Sequence, residues 1–143
     1  MTTKTEIIDA LVAELSEIAP ASKYFSFLDS INDFPTICTL VLEEQRRHIG
    51  AGNKFGLLSI IVRGYVKTGG LTRSGITNEC ALDAADDLLE QIEDVCSSLR
   101  SLLRARNIEI TDARIVRLGT DEGLFEPFGI CEASIELEYS LSC

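Results

Sequence analysis

GTDEGLFEPFGICEASIELEYSL, residues 119–141, decides how the chain is read. A polar turn punctuated by Gly123, Pro127 and Gly129 runs directly into a strict two-residue alternation. Cys131, Ala133, Ile135, Leu137, Tyr139 and Leu141 fall on one side, and Glu132, Ser134, Glu136, Glu138 and Ser140 on the other. Successive side chains of a strand point to opposite faces, so this segment predicts a half-buried strand with one core face and one acidic, wet face.

The rest of the sheet is read outward from that strand. Thr36–Gln45 is apolar and β-branched, opens after Pro35, and sets Cys38, Leu40 and Leu42 in one phase. Gly50-Ala51-Gly52-Asn53-Lys54 turns the chain into Phe55–Val66, where Leu58, Ile60, Val62 and Val66 share a face. A further strand is expected at about Ile108–Leu118.

Two helices complete the pattern. Ile7, Ile8, Leu11, Val12, Leu15 and Ile18 form one stripe, started by a Thr3/Glu6 capping box and stopped at Pro20. From Glu79 to Arg104, Leu82, Ala85, Leu89, Ile92, Cys96, Leu99 and Leu103 step by three and four, widened by Ala81, Leu88, Val95 and Leu102. Asp83, Asp86 and Asp87 stand near the start of this helix and Arg100 and Arg104 near its end, as the helix dipole favours. The predicted fold class is α+β: an αββαββ order in which a four-stranded, mainly antiparallel sheet carries helices on one face. With 143 residues and 45% hydrophobic composition, a single domain spanning 1–143 is expected.

Composition narrows the function. A net charge of −10 opposes a nucleic-acid-gripping role, which needs clustered Lys and Arg. No apolar run is long enough to span a bilayer, and acids interrupt the first residues where a signal peptide needs an uncharged core. The chain reads as cytosolic, with no membrane partner. Five widely spaced cysteines without a C-x-x-C suggest buried reduced thiols rather than disulfides or zinc ligands.

No catalytic or cofactor motif stands out. Gly50–Gly56 has the wrong glycine spacing for a nucleotide loop and leads into a strand rather than a helix, which leaves no helix N-terminus for phosphate. Asp83, Asp86, Asp87, Glu90, Glu93 and Asp94 read as a solvated helix face, since no histidine joins them. Asp121, Glu122 and Glu126 lack a neighbouring nucleophile or histidine and read as part of a turn. His48, the single histidine, follows Arg46 and Arg47 in a basic hairpin tip that could meet an acidic patch on a second copy. The segment Lys67–Asn78, with Gly69, Gly70, Thr72, Ser74 and Gly75, shows no apolar period and reads as a long loop of the functional or disordered kind.

Several short motifs resemble the tail terminator, or tail-completion, proteins of long-tailed bacteriophages. They are Phe34-Pro35-Thr36-Ile37, Gly52-Asn53-Lys54 with Leu58–Val66, the leucine-rich helix around Ala85–Glu93, and above all Thr120–Gly129 with the strand after it. The resemblance spans roughly residues 34–141, and the N-terminal region carries little of it. It implies a non-enzymatic virion protein of the tail and neck, assembled in the host cytoplasm. Such a protein forms a hexameric ring that caps the finished tail tube and meets the head–tail connector, while DNA passes through without specific binding. It implies no cofactor and no catalytic residue.

On this reading the ring contacts draw on Arg46, Arg47, His48, Arg63 and Arg73 on one side, and on Asp121, Glu122, Glu126 or the acidic helix face on the other. Lys67–Asn78 becomes the segment that orders on docking to tube or connector, and the acidic excess becomes a lumen that repels phosphate. A head-completion or neck protein shares the same αββ vocabulary. A small cytosolic α+β ligand-binding domain or enzyme is the alternative from another class.

Overall fold

Thr3 opens the first helix: its hydroxyl accepts a hydrogen bond of 3.2 Å from the Glu6 N–H, half of the capping box expected from the sequence. In the computed structural model, which describes residues 3–23, 34–50, 52, 54–67, 81–121 and 128–140, helix α1 covers Lys4–Leu15. It buries Ile7, Ile8, Leu11 and Leu15, leaving its polar side outward.

The order that follows is β1 (Ala21–Ser22), β2 (Thr36–His48), β3 (Lys54–Lys67), α2 (Ala81–Ser97), α3 (Leu99–Ala105), β4 (Asp112–Thr120) and β5 (Phe128–Ser140). The fold is α+β, a mostly antiparallel sheet with helices packed against it. Among the described residues the sheet has five strands in the order β1-β2-β3-β5-β4, one more than the four expected. The extra strand is two residues long and pairs parallel with Ile37 and Cys38 of β2. Two contacts beyond the pairing fasten it: the Ile37 N–H donates to the Pro20 carbonyl at 2.8 Å, and the Thr39 hydroxyl to the Ser22 carbonyl at 3.0 Å. So short a strand leaves no periodicity to read.

The other strands alternate as the antiparallel pleat requires. On the helix side Leu58, Ile60 and Val62 of β3 meet Cys131, Ala133, Ile135, Leu137 and Tyr139 of β5, all at most 2% exposed. Helix α2 lies across β3, β5 and β4, driving Ala85, Leu88, Ile92 and Cys96 into this layer. The wide apolar stripe is therefore core. The long helix expected over 79–104 is interrupted at Ser98, and α3 continues with Leu99 and Leu103 buried.

The phase expected for β2 is corrected by the structure. Its helix-side residues are Ile37, Thr39 and Val41, paired with Gly64, Val62 and Ile60, whereas Leu40 and Leu42 are 38% and 58% exposed. Ile37, Cys38, Leu40 and Val41 make this part of β2 apolar on both sides, so alternation alone does not choose the core face, and Cys38, on the same side as Leu40, is itself buried. The bulge between Val41 and Glu43 comes after them and reverses the side on which later residues fall. The β2–β3 turn uses Gly50 and Gly52 at φ of 87° and 79°, the left-handed region that suits glycine.

Candidate functional site

The described helices pack on one side of the sheet; on the other, Cys38 and Tyr65 are buried while the outward residues of β5 and β4 are half-buried to exposed. On β3, β5 and β4 this other side carries Arg63, Glu132, Ser134, Glu136, Glu138, Asp112, Arg114 and Arg117, fixed there by the same alternation that sends Ile60 and Ile135 inward. The acidic face expected for β5 is thus only partly wet. Glu132 faces Arg63 across β3, with Arg63 Nη2 at 2.7 Å and Nε at 2.8 Å from Oε2. Glu136 receives Arg114 Nη2 from β4 at 2.6 Å. Directly opposed charges of this kind each add a fraction of a kcal/mol to strand pairing.

A shallow depression of about 330 Å³ lies on this face, bordered by Arg63, Arg117, Thr120, Asp121, Glu132 and Ser134. The fold therefore brings together two of the sequence candidates, Arg63 and Asp121, and joins them to Arg117 and Glu132. Arg117 and Glu132 were missed because their proximity is a product of register, with Glu132 opposite both Arg63 and Gly119. The cross-strand pairing is invisible along the chain.

Arg46, Arg47 and His48 sit at the opposite end of the sheet. Arg47 pairs with Phe55, eight residues along β3 from Arg63, or about 27 Å at the usual rise per strand residue. Arg47 and His48 are exposed, but Arg46 donates through Nε to Glu44 Oε1 at 2.7 Å. Glu44 also meets Lys4 Nζ of α1 at 3.1 Å, and the Tyr139 hydroxyl of β5 lies 3.4 Å from the same Oε1. The Arg46 hydrogen bond, followed by Lys4, outweighs burial and holds the Glu44 carboxyl below the usual range. Burial and the adjacent Glu44 charge push Tyr139 up.

Lys67 closes β3, its ammonium 5.5 Å from the centre of the Phe128 ring. The remaining candidates, Gly69, Gly70, Thr72, Arg73, Ser74, Gly75, Glu122 and Glu126, lie outside the described residues, as do Cys80 and Cys143. Cys38, Cys96 and Cys131 are reduced and buried; burial pushes the Cys96 and Cys131 thiols up to about 12. Such thiols are poor nucleophiles. Among the described residues no group of three or more His, Cys, Asp and Glu side chains is placed to hold a metal ion, and no helix is long and apolar enough to cross a membrane.

The family model described as Bacteriophage Tail Tube Terminator Protein matches residues 1–142, and the chain belongs to that family. This is a structural family of the phage tail and not an enzyme family; membership places the protein in the virion tail, in contact with the tail tube whose growth it terminates. No curated protein matches the chain.

Proposed function

We propose that the protein closes into a homohexameric ring on the finished tail tube, ends its growth there, and presents its far surface to the head–tail connector. The family match over residues 1–142 is the observation that carries this reading. It is supported by a five-stranded sheet with helices packed against one face and, among the described residues, strand edges that can meet neighbours.

The ring assembles in the host cytoplasm and stays in the tail and neck of the virion. Arg46, Arg47 and His48 of the hairpin tip, with Arg63 and Arg73, are the proposed contact residues of one side, and Asp121, Glu122 and Glu126 or the acidic helix face those of the other. Lys67, Gly69, Gly70, Thr72, Ser74 and Gly75 belong to the segment proposed to dock on tube or connector. With a net charge of −10, the ring lets DNA pass without specific binding, since like charge repels the phosphate backbone.

Tube polymerisation tests the reading. Added to growing tail tube protein, the chain is expected to halt elongation at substoichiometric amounts, with density at one tube end, and the capped tubes are expected to bind connector. Tubes that lengthen unchanged in its presence would refute the proposal.

A further inference from the structure

The sheet ends in two edges that are alike in one unusual respect. Among the described residues β4 is an edge strand, and β1 pairs with only Ile37 and Cys38 of β2, so β2 from Leu40 onward is an edge as well. Each edge carries one bulge: between Val41 and Glu43 on β2, and between Ile115 and Arg117 on β4. Both abut the same cross-strand row, Val41–Ile60–Ile135–Ile115. The extra residue in each is a large exposed hydrophobic, Leu42 at 58% and Val116 at 56% exposure.

We infer that these edges are the two halves of one heterologous contact, in which β2 of one copy adds antiparallel to β4 of the next and extends the sheet around the ring. The inference rests on the ring reading above and names the surface that closes it. Direction is the first argument. The pairs β2–β3, β3–β5 and β5–β4 are all antiparallel, so β2 and β4 run oppositely, and a rotation about an axis along the strands sets the β4 of one copy antiparallel to the β2 of its neighbour.

Register is the second argument. A bulge ordinarily shields an edge from indiscriminate pairing, because it breaks the match of hydrogen bonds and side-chain faces. A strand bulged at the matching height restores that match. A register that preserves side-chain parity on both sides sets Val41 and Leu42 against Val116 and Ile115, and Leu40 opposite Arg117.

Charge is the third. The same register places Glu43 opposite Arg114, whereas pairing of β4 with its own copy gathers Arg114 and Arg117 of both chains. Cross-strand complementarity thus favours the heterologous contact over the two-fold one.

The experiment uses two full-length variants, Leu42→Asp and Val116→Asp, with native mass measured alone and with tail tube. Both substitutions are at exposed sites, and unchanged circular dichroism and melting confirm the fold. Neither variant alone should assemble under conditions where the parent does. Mixed together they retain one intact pair of edges, and should form dimers of twice 15.7 kDa that grow no further. As a second test, Glu43→Arg and Arg114→Glu should each weaken assembly by about threefold or more, and the doubly reversed chain should regain it.

A parent that forms rings while either aspartate variant does so equally well would overturn the edge contact and leave the ring standing. A mixture that stays monomeric at concentrations where the parent assembles would also overturn it. A parent that stays monomeric both alone and on tail tubes would overturn the ring reading and this contact with it.

Discussion

Gly56 faces the ring of Tyr139: a Cβ built on the glycine would lie 2.5 Å from Cζ, 2.6 Å from Cε1 and 2.8 Å from the hydroxyl oxygen. The two are cross-strand partners on β3 and β5, and Tyr139 is fully buried. A large side chain thus occupies the space that its partner lacks, at the end of the sheet where α1 reaches Glu44.

Gly56→Ala is therefore expected to destabilise the fold by about 1–3 kcal/mol, the usual cost of overpacking a filled core. Chemical denaturation measures it. Combining it with Tyr139→Leu should cost less than the sum of the two single changes, because the smaller side chain relieves the clash. Strict additivity would show that the ring moves aside freely.

Glu44 predicts a pH dependence. Its carboxyl is held below the usual range by Arg46, against some burial, and by Lys4. A depressed carboxylate adds stability that is present above its unfolded pKa and is lost as the pH falls through the lower folded value. Glu44→Gln should thus be less stable than the parent near neutrality, and the gap should close below about pH 4.5, the ordinary glutamate value. Arg46 and Lys4 are 58% and 45% exposed, so the effect is modest and shrinks further in high salt. Melting temperatures of both proteins from pH 3 to 8 provide the comparison. A gap that widened on acidification would contradict the assigned direction.

The buried thiols give a third outcome. At pH 8 Cys96 and Cys131, pushed up to about 12, should resist alkylation in the native protein and react once it unfolds. Peptide mass mapping of the labelled sites decides this, and fast native labelling of Cys131 would show that the packing between α2 and β5 is looser than described.

The Arg63–Glu132 pair is about 30% exposed on each side, so a double-mutant cycle to alanine should give a coupling of only about 0.2–1 kcal/mol for folding. On the ring reading its greater effect is on assembly at the depression it borders. Retained stability with weakened tube capping is the expected result of Arg63→Ala.

The helices and long strands were legible because their periods are strong. Thr3 and Glu6 announced α1, and the alternation from Cys131 to Tyr139 survived intact as the inward face of β5. Two features escaped for physical reasons. β1 has only Ala21 and Ser22, too few residues for any pattern. The first half of β2 is apolar on both sides, with Ile37 and Val41 on one and Cys38 and Leu40 on the other, so a two-residue template does not choose its core face, and the bulge at Leu42 then reverses the residues after it. At the site, Arg63 was readable as a charged strand residue and Asp121 as part of a turn, but their union with Arg117 and Glu132 depends on strands brought together by folding. The bulged edges, meeting one row of the sheet from both sides, had no linear signal.

The central claim is that this chain acts as a closed ring on the tail tube, and its most direct test is native mass by light scattering over a range of concentrations, with and without tube. The account predicts a discrete species of about six times 15.7 kDa, with no larger forms as concentration rises, or its appearance on tube ends when tube is supplied. A chain that stays monomeric or stops at a dimer under both conditions would contradict it.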